Sequence, residues 1–149
     1  LARQLAQYVV IYSPIQMAAD LPENYLAKPE PFQFIKDVPT DWETSIALQG
    51  SVADYVVFAR KEKAHRHYSG NDWYLGALTN EDERVINVPL NFLDKGQRYE
   101  AQIYRDGDKA DWRTNPYDMV IEKKIVTQDD TMTIRLAAAG GVAVRFKQL

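Results

Sequence analysis

The feature that most restricts the fold is a series of eight short apolar segments from residue 43 onward, each ended by turn-forming residues. Residues 131–137, TMTIRLA, alternate cleanly between apolar and polar side chains, and residues 98–106 do the same. That alternation indicates a strand with one buried and one solvated face. Many short strands with polar turns between them predict an antiparallel β-sandwich of about eight strands. The segments are ETSIALQ, ADYVVFARK, DWYLGALT, RVINVPL, RYEAQIYRD, MVIEKKIVT, TMTIRLA and GVAVRFK.

The first 39 residues have a different pattern. Apolar side chains recur at helical spacing in residues 1–12, which predicts an amphipathic helix. Residues 15–19 predict a short apolar strand, and residues 29–39 predict a short helix between prolines. Because helix, strand and helix form part of an α/β repeat, we expect a boundary between residues 1–39 and residues 40–149.

Two of the predicted strands, in DYVVFAR and DWYLGALT, are apolar on both faces. Strands of that kind are covered on both sides in folded proteins. One face would line the sandwich core, and the other requires a second cover. This pattern favours a docking surface.

The composition excludes several classes of partner. The net charge is −3 and the basic residues are scattered, so no phosphate-binding face for a nucleic acid is expected. No apolar run approaches the roughly 20 residues that a membrane-spanning helix needs. The chain has no cysteine, which excludes disulfides, thiolate nucleophiles and cysteine metal sites.

Two polar clusters are candidate metal sites. Asp106, Asp108 and Asp111 lie close together in the turn YRDGDKADW, but the spacing of a calcium-binding EF-hand loop is not met. We therefore predict a solvated hairpin turn there. His65 and His67 stand among basic residues without further zinc ligands, which predicts a polar loop. No metal ligand is assigned in this chain.

No catalytic set can be assembled from the sequence. Glycoside hydrolysis needs two carboxyl groups roughly 5–9 Å apart across a sugar, and the acidic residues here fall mostly in turns or at outward strand positions. No Ser/His/Asp order, glycine-rich phosphate loop or dinucleotide fingerprint is present. We assign no catalytic residue and expect the chain to be inactive on its own.

Three tryptophans and nine tyrosines permit a sugar-stacking surface of the carbohydrate-binding type. Trp73 lies within a strand that is apolar on both faces, so we predict that it packs in the core. Trp112 follows the acidic turn and is the better candidate for a ligand or interface contact.

Longer phrases carry a family resemblance. LAQYVVIYSPIQMAADLPENY and FQFIKDVPTDWETSIALQGSVADYVVFAR, followed by DWYLGALTNE, YEAQIYRDGDKADWRTNP and AAAGGVAVRF, resemble the C-terminal part of glycoside hydrolase family 97 enzymes. In that family an N-terminal β-sandwich, a (β/α)8 barrel and a C-terminal β-sandwich form bacterial, typically periplasmic, exo-acting enzymes. They act on α-glucosides or α-galactosides, and many use calcium.

The resemblance implies that residues 1–39 are a remnant of the end of the catalytic barrel and that residues 40–149 are the C-terminal sandwich. The catalytic carboxylates and calcium ligands would lie upstream, in a part of the polypeptide that this chain lacks, and the protein would be periplasmic. Asp20, at the end of a barrel strand, would point toward the active-site face and support substrate binding. The alternative is an aspartate that caps the turn before Pro22.

By this resemblance the chain is a non-catalytic domain that covers the barrel of its own polypeptide and contributes to homo-oligomerisation. The alternative is an autonomous carbohydrate-binding module that uses exposed aromatic residues such as Trp112. The choice between α-glucosides and α-galactosides, and between retention and inversion, stays open.

A segment taken from a barrel lacks its original neighbours. Residues 1–28 are therefore expected to fold back on the sandwich, to pack against a second copy or to be mobile, and self-association is favoured. Removal of these residues is expected to leave a folded all-β domain.

Overall fold

The structure is a computed structural model that describes all residues from 1 to 149. It has three helices followed by eight strands, and each of the eight predicted strands is confirmed. No helix is long and apolar enough to span a bilayer. The elements are α1 (Ala2–Val10), α2 (Pro22–Leu26), α3 (Pro29–Asp37), β1 (Trp42–Ser51), β2 (Tyr55–Glu62), β3 (Trp73–Thr79), β4 (Arg84–Pro89), β5 (Tyr99–Asp106), β6 (Met119–Val126), β7 (Thr131–Leu136) and β8 (Gly141–Gln148).

The strands form two antiparallel sheets. The large sheet has the order β1-β2-β3-β8-β5-β6, and β4 pairs with β7 in a small sheet. Apolar side chains from both sheets, among them Leu75, Val144 and Ile134, form one buried cluster between them. The predicted antiparallel β-sandwich is therefore confirmed, with β8 inserted between β3 and β5.

The outer face of the large sheet is covered by helices of the same chain. Leu5 and Val9 of α1, together with Phe34 of α3, pack against Tyr74 and Tyr104 on the sheet. As a result β3 is buried on both faces, as its sequence predicts. The cover that DWYLGALT requires comes from α1 and α3, so this face is not an open docking surface.

Two glycines allow α1 to lie directly on the sheet. A Cβ atom on Gly76 would stand 2.8 Å from the backbone oxygen of Ala6 and 2.9 Å from Cβ of Val9. On Gly141, in the neighbouring strand, it would stand 2.8 Å from Cα of Arg3. Contacts this short are too close for any side chain, so glycine at both positions sets how near the helix approaches.

The N-terminal segment departs from the predictions at one place. Residues 15–19 do not form a strand, and Ile15 and Met17 are 75% and 79% exposed. A strand requires a neighbour for its backbone N–H and C=O groups, and the chain offers none at that position. The helix predicted over residues 29–39 is confirmed as α3. Of the three arrangements expected for residues 1–28, folding back on the sandwich is found for α1.

Candidate interaction site

Asp20 lies in an exposed turn just before α2. Its Oδ1 accepts hydrogen bonds from the backbone N of Leu21 (2.7 Å) and from Nδ2 of Asn24 (2.6 Å). The hydrogen bond from Asn24, followed by that from Leu21, lowers the pKa of Asp20. This geometry is that of a turn-capping aspartate, and a role in supporting substrate stays a prediction.

Trp112 is the most exposed tryptophan. The residue is 53% exposed, and the guanidinium of Arg113 lies 4.4 Å from the centroid of its ring. Trp73 is buried in the core, as predicted, and Trp42 packs edge-on against Tyr74. The three indoles therefore do not share one surface.

The three aspartates of the acidic turn point to different surroundings. Asp106 is buried and accepts hydrogen bonds from Gly141 N (2.9 Å) and Ala137 N (3.4 Å). Asp108 is exposed, and Asp111 accepts from the backbone of the turn that follows it. No group of three acidic or histidine side chains that could hold a metal ion is found in the chain.

The buried carboxylate of Asp106 predicts a specific pH dependence. Burial raises the pKa of Asp106 above that of an unfolded chain, while hydrogen bonds from Gly141 and Ala137 act in the opposite direction. Because the pKa of Asp106 is higher in the folded chain than in the unfolded chain, folding is favoured by protonation of this carboxyl group. The contribution of Asp106 to stability is fully present below its unfolded pKa of about 3.9 and is lost as the pH rises through its pKa in the folded chain. Asp106→Asn should therefore lose less stability than the wild type between pH 4 and pH 7.

Urea denaturation across this pH range measures the effect, with Asp108→Asn as the control from the same turn. The prediction fails if Asp106→Asn and Asp108→Asn show the same change in stability with pH.

A buried carboxylate holds the loop that contains His65 and His67 in place. Both histidines are exposed. Glu62, only 2% exposed, directs Oε1 at the loop and accepts from Oγ of Ser69 and from N of Gly70, both at 2.9 Å. The sequence marks the basic loop but gives no signal that one buried carboxylate holds it.

A charged cluster joins the helical layer to the sheet. Nη1 of Arg145 lies 2.7 Å from Oδ2 of Asp37, and its Nη2 lies 2.8 Å from Oδ2 of Asp72. The side chains of Arg145, Asp37 and Asp72 are 19%, 18% and 8% exposed, respectively. Arg145 thus links α3, the start of β3 and β8, and no local sequence pattern reveals this cluster because its members are far apart in the chain.

A mostly apolar groove lies between the three helices, and we call it the helical groove. It has a volume of about 800 Å³. Its lining includes Tyr8, Met17, Tyr25, Phe32 and Tyr117. Exposed Leu21 and Leu26 lie on the elements beside it. Large exposed apolar areas of this kind mark interaction surfaces, so the helical groove is a candidate site for contact with another part of a protein.

Comparison with known proteins gives a consistent result. Residues 41–147 match the family described as "Glycosyl-hydrolase 97 C-terminal, oligomerisation". The chain is 38% identical to a retaining alpha-galactosidase of Bacteroides thetaiotaomicron, over 97% of this chain and 20% of the relative. It is 29% identical to a probable retaining alpha-galactosidase of Streptomyces bingchenggensis, over 95% of this chain and 20% of the relative.

A solved structure is also very similar. The chain superposes with a TM-score of 0.98 and 63% identity on a glycoside hydrolase family 97 enzyme from Pseudoalteromonas sp. strain K8, solved in complex with acarbose. The match covers 99% of this chain and 22% of that enzyme. The chain therefore spans about a fifth of the length of the proteins it matches.

Proposed function

This chain belongs to the family of glycoside hydrolase 97 C-terminal oligomerisation domains, and on that premise we propose that it is the self-associating, non-catalytic sandwich of a larger exo-acting α-glycosidase. The match of residues 41–147 to that family carries the proposal. The full-length relatives are about five times longer, which leaves room for a catalytic domain outside this segment.

The second part of the proposal is that the domain covers the catalytic barrel of its own polypeptide. The helical groove supports this proposal, because it is lined by apolar side chains of α1 and α3 and by the exposed segment that contains Met17. An apolar groove beside exposed aliphatic residues suits burial against another domain of the same chain.

Substrate class and cofactor belong to the parent enzyme. Two relatives are named as α-galactosidases and one similar enzyme was solved with acarbose, so α-galactosides and α-glucosides are both candidate substrates. The family resemblance supports a periplasmic location and a calcium ion bound by residues upstream of this chain. The carboxylates of the acidic turn do not fit that ion because they point apart.

Sedimentation velocity on the 149-residue chain tests self-association. We expect a species of at least two copies at high micromolar concentration that dissociates on dilution, because a domain that links subunits should retain part of that affinity when isolated. A chain that sediments as a monomer at every concentration would contradict the oligomerisation role. The sedimentation coefficient of a urea-unfolded sample serves as the reference for an extended monomer.

A further inference from the structure

Strand β6 is an open and regular edge of the large sheet. It pairs with β5 along its whole length without a register shift and has no strand on its other side. The opposite edge strand, β1, has irregularities between Trp42 and Thr44 and between Ala47 and Gln49. Bulges of that kind protect edge strands from pairing with other chains. β6 has no bulge, so its outer backbone groups remain available.

The direction of these backbone groups follows from the turn before β6. Gly107 N donates to the backbone oxygen of Asp118 at 2.9 Å, so the backbone of Asp118 is directed at the neighbouring strand. Backbone groups alternate in direction along a strand, and the pairing of β5 with β6 continues in step from this point. The N–H and C=O groups of Ile121, Lys123 and Ile125 therefore point to the free edge.

The sequence of β6 is nearly palindromic. From residue 120 to residue 126 it reads V-I-E-K-K-I-V, with Lys123 at the centre. When a second copy runs antiparallel with the two central lysines opposite each other, Ile121 faces Ile125 of the other copy. Ile125 is 52% exposed in the single chain. Pairing in this register would remove part of that apolar surface from water.

The same register also matches charges. Glu122 faces Lys124 of the other copy, and two-fold symmetry repeats the pair. These residues occupy the positions without hydrogen bonds to the second copy, where opposite side chains are closest. Lys123 lies opposite Lys123 of the other copy, at a position where the two strands exchange hydrogen bonds and facing side chains are farther apart. Within each chain, Nζ of Lys123 lies 3.1 Å from Oε1 of Glu100. Centring the axis on Glu122 or Lys124 instead would bring two like charges together at the closer position.

We propose that β6 is the self-association edge of this domain and that its occupant is β6 of a second copy, paired antiparallel about a two-fold axis at Lys123. The two large sheets then form one continuous sheet across the dimer. This inference rests on the proposed function, since it names the surface through which the domain would associate.

Hydrogen exchange measured by NMR at high and low concentration of the 149-residue chain tests the pairing directly. Association should slow exchange at the outward amides of Ile121, Lys123 and Ile125 by about tenfold or more, because they gain partners in the dimer. The amides of Glu122 and Lys124, which bond to β5 in either state, should change little. Unchanged exchange at the three outward amides in an associated sample would overturn the proposal.

Charge variants test the register. Lys124→Glu places two pairs of glutamates face to face, and Glu122→Lys places two pairs of lysines face to face. Each should raise the dimer Kd by about tenfold or more. An equimolar mixture of the two variants should associate again, since each chain then faces the opposite charge. Restoration by mixing distinguishes an interface from a loss of folding, and Lys95→Glu, on an exposed turn, is the control for net charge.

The outcomes separate this inference from the proposed function. If the wild type is monomeric at every concentration, both fall together. If the wild type associates and the charge variants associate equally well, only the assignment of β6 is overturned, and the association surface lies elsewhere. Protected outward amides with no rescue on mixing would mean that β6 pairs with a different strand of the second copy or in another register, and would overturn the pairing about Lys123.

Discussion

Replacing Arg145 with methionine is expected to lower the free energy of unfolding of the chain by about 3 kcal/mol, at the lower end of the range for breaking a buried ion pair. The guanidinium contacts the carboxylates of both Asp37 and Asp72, at 2.7 Å and 2.8 Å. Methionine would leave both acids without their cation in surroundings that are mostly closed to water. About a fifth of the exposure of Arg145 remains, which keeps the expected loss from the upper end of the range.

Urea denaturation followed by tryptophan fluorescence measures this loss. Arg135→Met is the matched control, because Arg135 pairs with Glu83 at the surface and should cost less than about 1 kcal/mol. Adding Asp37→Asn and Asp72→Asn to Arg145→Met should recover part of the stability, since the uncompensated charges are removed. Equal losses for Arg145→Met and Arg135→Met would show that the buried cluster contributes no more than a surface pair.

Deleting residues 1–10 is expected to abolish cooperative folding of the chain. Helix α1 buries Leu5 and Val9 completely or nearly so, and each forgoes about 1.5–3 kcal/mol when left in water. The deletion also uncovers Tyr74 and Tyr104 on the sheet. The combined loss is comparable with the whole stability of a typical domain, about 5–15 kcal/mol.

Thermal unfolding monitored by near-ultraviolet circular dichroism distinguishes the outcomes. A single substitution provides the graded version: Leu5→Ala should cost about 2–5 kcal/mol. Met17→Ala, at an exposed position of the same N-terminal segment, should stay within about 0.5 kcal/mol. A truncated chain that melts cooperatively near the wild-type temperature would support the expectation drawn from sequence, in which residues 1–28 are dispensable.

The sandwich could be predicted from sequence because its signals are local. In β7, Met132, Ile134 and Leu136 alternate with polar residues, and the structure buries the same three apolar side chains. The placement of Trp73 in the core follows from the two apolar faces of its strand. Helix α3 is marked by prolines at its start. Each of these features depends only on neighbouring positions.

The helical layer could not be placed in this way. Residues 15–19 are as apolar as an inner strand, but a strand also needs neighbours, which local sequence does not reveal. Gly76 is an ordinary strand glycine in sequence, and only the structure shows that a Cβ atom there would stand 2.8 Å from the backbone oxygen of Ala6 in the overlying helix. The partners of Arg145 are at positions 37 and 72, and no spacing rule connects three such distant residues.

The central position of β8 has a consequence for the order in which this domain can form. Residues 73–78 of β3 pair with residues 141–146, and β5 pairs with the other side of β8. During synthesis, β1 to β3 and the hairpin of β5 and β6 therefore emerge as two separate pieces, each with an open inner edge. Within the large sheet only the arrival of β8 joins them, after most of the domain has left the ribosome. Long-range closure of this kind makes folding slow and leaves unpaired edges exposed to other nascent chains in the interval.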